Sequence, residues 1–144
     1  MSRIFQASVL FSEIPVLENV FTACHMSYAG SVWKRLLRTH SALEEEKALR
    51  KRALEILEFI GLEELRDEMA GVLSHGHQRA LAISLALATD PKLLLLDEPV
   101  TGMNDVETEA MIGIIKRIRD RGITVILVEH DMKAVMSLCD KIVV

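Results

Sequence analysis

Four consecutive leucines, Leu93 to Leu96, stand between Pro91 and Pro99 and run straight into Asp97 and Glu98. A run that is apolar without alternation, bounded by breakers and too short for a helix, reads as a strand buried on both faces. Strands of that kind belong to parallel sheets, whose crossovers lay helices over both surfaces. Downstream the chain keeps to this pattern. An amphipathic stretch from about Val106 to Arg121 is closed by Gly122, Ile123 to Val128 is a second β-rich run, Met132 to Leu138 reads as a helix, and Ile142 to Val144 begins a third strand. Strand, helix, strand, helix, strand predicts a parallel α/β layer with right-handed crossovers.

Upstream the periodicity is helical. Val16, Leu17, Val20, Phe21 and Cys24 recur at three and four after the breaker Pro15, which predicts a short helix from Val16 to about Met26. Tyr28 to Thr39 lacks a clean period and reads as a loop with at most one helical turn. Ser41 with Glu44 three residues on is a capping-box pattern, and Leu43, Ala53, Leu54, Leu57 and Ile60 carry an apolar stripe as far as Gly61. Ala80 to Ala88 is apolar nearly all round, as a helix buried among other elements would be. Two parts are therefore expected: a helical region from about Pro15 to Gly71 and an incomplete α/β layer from about Leu73 onward.

Composition narrows the function classes. With 144 residues, half of them hydrophobic, the chain can bury one core. A net charge of -4 supplies no basic footprint for a phosphate backbone, so nucleic acid is not an expected partner. Cys24 and Cys139 stand far apart in the sequence with no ligand spacing, so a disulfide framework or structural zinc site has no support and a reducing cytoplasm fits best. MSRIFQASVL has no secretory apolar core, and no run approaches the roughly 20 apolar residues that span a bilayer. Any membrane connection is expected to run through a partner.

Ligands in parallel sheets bind beyond the carboxyl ends of the strands, so Asp97 and Glu98 draw attention first. Adjacent carboxylates there suit magnesium work, one holding the ion and the next orienting an attacking water. Acidic residues that simply end a strand have the same appearance. Val128-Glu129-His130-Asp131 ends the second strand on the same rim, where His130 would donate to a phosphate oxygen or serve only as a solvated histidine. Leu73-Ser74-His75-Gly76-His77-Gln78-Arg79 precedes the buried helix, offering either an anion site at a helix N-terminus or an ordinary serine cap. His75 and His77 lack a third ligand at metal spacing. Gly71 to Gly76 has the glycine spacing of a P-loop, but His77 and Gln78 stand where lysine and Ser/Thr are required, and no Gly-Lys pair occurs in the sequence.

Taken in order, these segments resemble the ABC-type ATPases, most closely the ATP-binding subunits of branched-chain amino-acid importers. Ile4-Phe5-Gln6 resembles the family's Q-loop, LSHGHQ its LSGGQ signature and LLLLDEP its Walker B segment. Thr101-Gly102-Met103-Asn104 is similar to its D-loop, and Glu129-His130-Asp131 to its switch-histidine loop. The resemblance implies a partial P-loop NTPase domain over residues 1–144, a helical subdomain followed by an incomplete parallel sheet, with ATP and Mg2+ as cofactors. It implies that Gln6 approaches the magnesium and water, Asp97 holds magnesium, Glu98 polarises the water and His130 meets the γ-phosphate. Ser74, Gly76 and His77 would cap ATP held by an opposite subunit, with Asn104 coupling the two sites.

The implied partners are transmembrane permease subunits and a second ATP-binding subunit, the same or different. The implied location is the inner face of the plasma membrane. His75 and His77 replace a glycine and a glutamine of the signature, and the chain begins only five residues before Gln6, so a truncated member without Walker A is expected. Two functions follow: an ATP-hydrolysing importer subunit, or a non-catalytic interaction fragment unable to bind ATP alone. Chromosome-maintenance and DNA-repair ATPases share some of these motifs, but the region between Gln6 and Ser74 has no sustained heptads.

Overall fold

A computed structural model of the chain describes residues 2–3, 11–27 and 40–142, with side chains described at 11–27 and 43–142. Its elements are β1 (Ser2–Arg3), α1 (Val16–Ser27), α2 (His40–Ile60), α3 (His75–Leu87), β2 (Leu93–Asp97), α4 (Asp105–Asp120), β3 (Thr124–Val128) and α5 (Met132–Leu138). Short 3-10 turns at Glu63–Leu65 and Ala70–Val72 join α2 to α3. The strands form one parallel sheet in the order β1-β2-β3.

α3 occupies the centre. It packs on α1 and α2 to one side and on α4 to the other. Ala80, Leu81, Ala82, Ile83, Ser84, Ala86 and Leu87 are buried along it, as the all-round apolar pattern predicts. One hydrophobic core runs from Val16 and Leu57 through Leu81 and Leu94 to Ile118 and Leu138. α2 ends in a Schellman motif: Leu62 N donates to Leu57 O (2.8 Å), Gly61 N donates to Glu58 O (3.1 Å), and Gly61 has φ +90°. Gly122 closes α4 in the same left-handed region, with φ +82°.

The start of α1 is stitched to the segment before α3. Val16 N donates to Glu68 O and Leu17 N to Arg66 O, each at 2.9 Å, while Ala70 N returns a bond to Ile14 O at 3.1 Å. Asn19, only 2% exposed, organises the turn ahead of the helix. Its Oδ1 accepts from Phe11 N (3.0 Å) and its Nδ2 donates to Phe11 O (3.1 Å), Pro15 O (3.2 Å) and Ile14 O (3.3 Å).

Several expectations need correction. β2 is not buried on both faces: Leu94 and Leu96 are buried, whereas Leu93 and Leu95 are half-buried. On β3, Ile126 and Val128 are each 47% exposed. Leu94 and Leu96 pair with Val125 and Leu127 on the face turned to the core, and among the described residues no helix covers the other face. Leu43 is 61% exposed rather than part of the stripe, because the whole of 43–48 is exposed and burial on α2 begins at Leu49. Ser41 is the second residue of α2, not its cap. β1, a strand of only two residues, was not expected, whereas the expected third strand falls largely on 143–144, outside the described residues. The loop expected over Tyr28 to Thr39 also lies outside them.

Asn19→Ala should destabilise the folded chain by about 1–3 kcal/mol, because it takes the Oδ1 acceptor from Phe11 N and removes one bond from each of the Phe11, Ile14 and Pro15 carbonyls, which keep their backbone donors. Urea unfolding checks this, and a change below about 0.5 kcal/mol would contradict it. Cys24 is fully buried, and burial raises its thiol pKa despite the opposing charge of Arg52. A raised folded value means that its contribution to stability is present below the unfolded thiol pKa, about 8.5, and is lost as pH rises beyond it. Iodoacetamide should therefore label half-buried Cys139 well before Cys24; equal rates would contradict the burial.

Candidate active site

The parallel register sets the site. Asp97 pairs with Val128, so β2 and β3 end side by side and release Glu98 and Glu129 onto one rim. His130 Nε2 lies 3.5 Å from Glu98 Oε1, bringing together the two side chains expected there. His130 is 84% exposed along its side chain and Glu98 26%, so the histidine stands at the surface and the carboxylate is partly sheltered.

The turn after β2 is held from three directions. Glu98 N donates to Val128 O at 2.8 Å, and Arg79 of α3 donates through Nη1 to Glu98 O. Glu98 adopts φ +47°, a left-handed conformation that costs a non-glycine residue about 1–2 kcal/mol. Such strain persists where the surroundings over-determine the backbone, and these bonds do so. Glu129 supplies the third tie. Its Oε1 accepts from Val100 N (3.2 Å), and its Oε2 accepts from His130 N (2.8 Å) and Asp131 N (3.5 Å). One carboxylate thus joins the turn after β2 to the loop that carries His130. Asp131 then caps α5, accepting from Lys133 N at 2.8 Å and Ala134 N at 3.3 Å.

A second cluster forms where α3 begins beside α4. Ser74 is the N-cap of α3, its Oγ accepting from His77 N at 3.3 Å. Asn104 caps α4 in a reciprocal capping box: Glu107 N donates to Asn104 Oδ1 (2.9 Å), and Asn104 N donates to Glu107 Oε2 (3.3 Å). Gly76 is buried against Glu107, where an added Cβ would come within 3.0 Å of Oε1. His75 and His77 are exposed residues of the first turn of α3. His75 is helical and outside the left-handed region, so a side chain there carries no backbone strain.

The structure therefore gathers Glu98 and His130 beside the strand-ending Asp97, and separately gathers Ser74, Gly76 and Asn104. Gln6 lies outside the described residues. Arg79, Glu107 and Glu129 were passed over as site residues. Only Glu107 had a local signal, the Asn-x-x-Glu spacing of a capping box.

The sequence profile of the ABC transporter family matches residues 1–101. The chain belongs to the ABC transporter family. It is 38% identical, over 99% of its length, to the high-affinity branched-chain amino acid transport ATP-binding proteins BraF of Pseudomonas aeruginosa and LivG of Escherichia coli. It is 32% identical to the methionine import ATP-binding protein MetN of Haemophilus ducreyi, of which it covers 38%. The chain spans about half the length of these branched-chain relatives, 56% of each.

Among solved structures, a nucleotide-free ATP-binding cassette from an ABC transporter superposes with a TM-score of 0.74 at 30% identity. A dimeric cassette in a post-hydrolysis state, bound to ADP and Pi, superposes at 0.71 and 28% identity. These matches cover 96% and 94% of this chain and 54% of each cassette. The fold is that of an ABC cassette, a P-loop NTPase fold, with the part described here built of helices and a small parallel sheet. Among the described residues no helix is long and apolar enough to cross a membrane.

Glu129→Ala should lower stability by about 1 kcal/mol, since the bonds lost are charge-assisted but partly exposed. Chemical denaturation of the two proteins measures it, and an unchanged midpoint would mean that the carboxylate does not hold the two turns together.

Proposed function

We propose that the chain is part of an ATP-hydrolysing subunit that energises an ABC importer, and that the solute is of the branched-chain amino-acid type. The observation that carries this reading is the 3.5 Å approach of His130 to Glu98 at the ends of two parallel strands. The relatives' names support the choice of solute.

In this reading Glu98 polarises the attacking water, and His130, 3.5 Å from Glu98 Oε1, donates to the γ-phosphate. The left-handed turn at Glu98, tied to Arg79 and Val128, spares the carboxylate from reorganising during the reaction. Asp97, the last residue of β2, would hold Mg2+. The donor suits that ion: Asp97 is an exposed carboxylate at the end of β2, and magnesium is commonly held by one or two carboxylates together with substrate phosphates. When bound it would neutralise charge on the β- and γ-phosphates. Gln6 would reach the same water. Ser74, Gly76, His77 and Asn104 would face ATP held by a second ATP-binding subunit, and permease subunits would keep the assembly at the inner face of the membrane.

A second reading has its own observation. Residues 1–144 contain no G-x-x-x-x-G-K-[ST], the source of the backbone donors and lysine for the phosphates. Taken alone, these residues would then be a non-catalytic interaction fragment that binds no ATP.

In the subunit that carries this sequence, assembled with its permease, Glu98→Gln should lower the rate of ATP hydrolysis by roughly 10²–10⁴-fold. Nucleotide binding should survive. A rate within a few-fold of the unmodified subunit removes Glu98 from the chemistry, and absence of ATP hydrolysis by the unmodified assembly favours the second reading.

A further inference from the structure

Glu107 touches each of the three residues gathered at the start of α3 and α4. Its Oε1 accepts from Ser74 Oγ at 3.2 Å, its Oε2 accepts from Asn104 N at 3.3 Å, and its side chain fills the space that a Cβ on Gly76 would enter. No role follows for it from the motifs. We propose that Glu107 is a positioning residue that parks the Ser74 hydroxyl and opposes the approach of a phosphate, so that ATP engagement has to displace its carboxylate. This rests on the reading that Ser74 and Gly76 face the nucleotide of a second subunit.

The argument begins with proton counting. A serine hydroxyl has one proton to donate. Ser74 Oγ already accepts from His77 N, and its single proton is directed at Glu107. To donate to a phosphate oxygen, Ser74 must withdraw that proton from Glu107.

Charge acts in the same direction. The N-terminus of α3 favours an anion. In this structure the carboxylate of Glu107 meets that need from within the chain, so an incoming phosphate finds a like charge at the same place. The approach at Gly76 is close, because the Glu107 side chain lies 3.0–3.2 Å from where a Cβ would sit and would have to give way to one. Release of Glu107 from Ser74 leaves its backbone bond to Asn104 intact as the cap of α4. The carboxylate can thus exchange one partner without melting the helix.

Two substitutions separate charge from shape. Glu107→Gln keeps a carbonyl acceptor and remains a competent capping-box residue, but loses the charge. Glu107→Ala loses both. The assembled subunits are titrated with ATP under conditions that prevent turnover, and ATP-dependent closure of the pair is followed by crosslinking or light scattering. Glu107→Gln should reach half-maximal closure at roughly threefold to tenfold lower ATP, with an unchanged melting temperature. Adding salt should shrink the difference between the two proteins, a response that a merely structural role would not produce.

Ser74→Ala serves as the control. If it raises the ATP needed for closure while Glu107→Gln leaves it unchanged or also raises it, the inference falls and the trans-contact reading stands. If Ser74→Ala has no effect on closure although it remains folded by circular dichroism, that reading falls and takes the inference with it. Should Glu107→Gln fail to fold, Glu107→Ala and Glu107→Asp provide the comparison. Easier closure in the uncharged variant alone supports the proposal, and equal closure in the two overturns it.

Discussion

The parallel pairing of β2 with β3 is the interaction on which the other features depend. Asp97 opposite Val128 makes the two strands finish at one level, so the residues that follow them share a rim. A slip of one residue would turn Leu94 and Leu96 away from the core and carry Glu98 away from His130. Burial enforces the register, since Leu94 is fully buried and Leu96 nearly so, whereas Leu93 and Leu95 are half-buried. The core side of a strand thereby decides where a carboxylate stands several ångströms away.

α3 transmits that order to the helical part of the chain. Its buried residues touch both halves of one core, and its polar residues reach the two polar clusters. Ser74 and Gly76 stand in its first turns beside Glu107, and Arg79 is bonded to the backbone of Glu98. A shift of this helix would therefore be felt at both clusters together. Glu107 and Glu129 act alike in one respect: each is a single carboxylate that ties two loops distant in sequence through backbone or hydroxyl donors. Charge-assisted bonds of this kind hold exposed turns in place where apolar packing is not available.

The most legible elements were those with strong local causes. α1, α4 and α5 follow their apolar periods to within a residue or two of the expected ends. Gly61 and Gly122 stop their helices because left-handed backbone is least costly for glycine. The carboxylate and histidine at the strand ends were legible because a parallel sheet brings successive strand ends to one edge. Other features had no local signature. A strand of two residues has no period, Asn19 looks like an ordinary helix residue, and Leu43 sits on the apolar stripe but is exposed, burial on α2 beginning at Leu49.

From the sequence alone came the order and type of the main elements, the family resemblance and the polar residues at the strand ends. These are properties of short segments: period, breakers, caps and motifs act over one to four residues, so they can be read along the chain. Only the tertiary structure decided which face of β2 and β3 is covered, which carboxylates tie the loops and which hydroxyl is already engaged. Those outcomes depend on groups that are far apart in the chain, such as Ser74 and Glu107, or Val100 and Glu129, meeting within hydrogen-bond distance. No local pattern encodes such a meeting, because it is set by how the helices and strands pack.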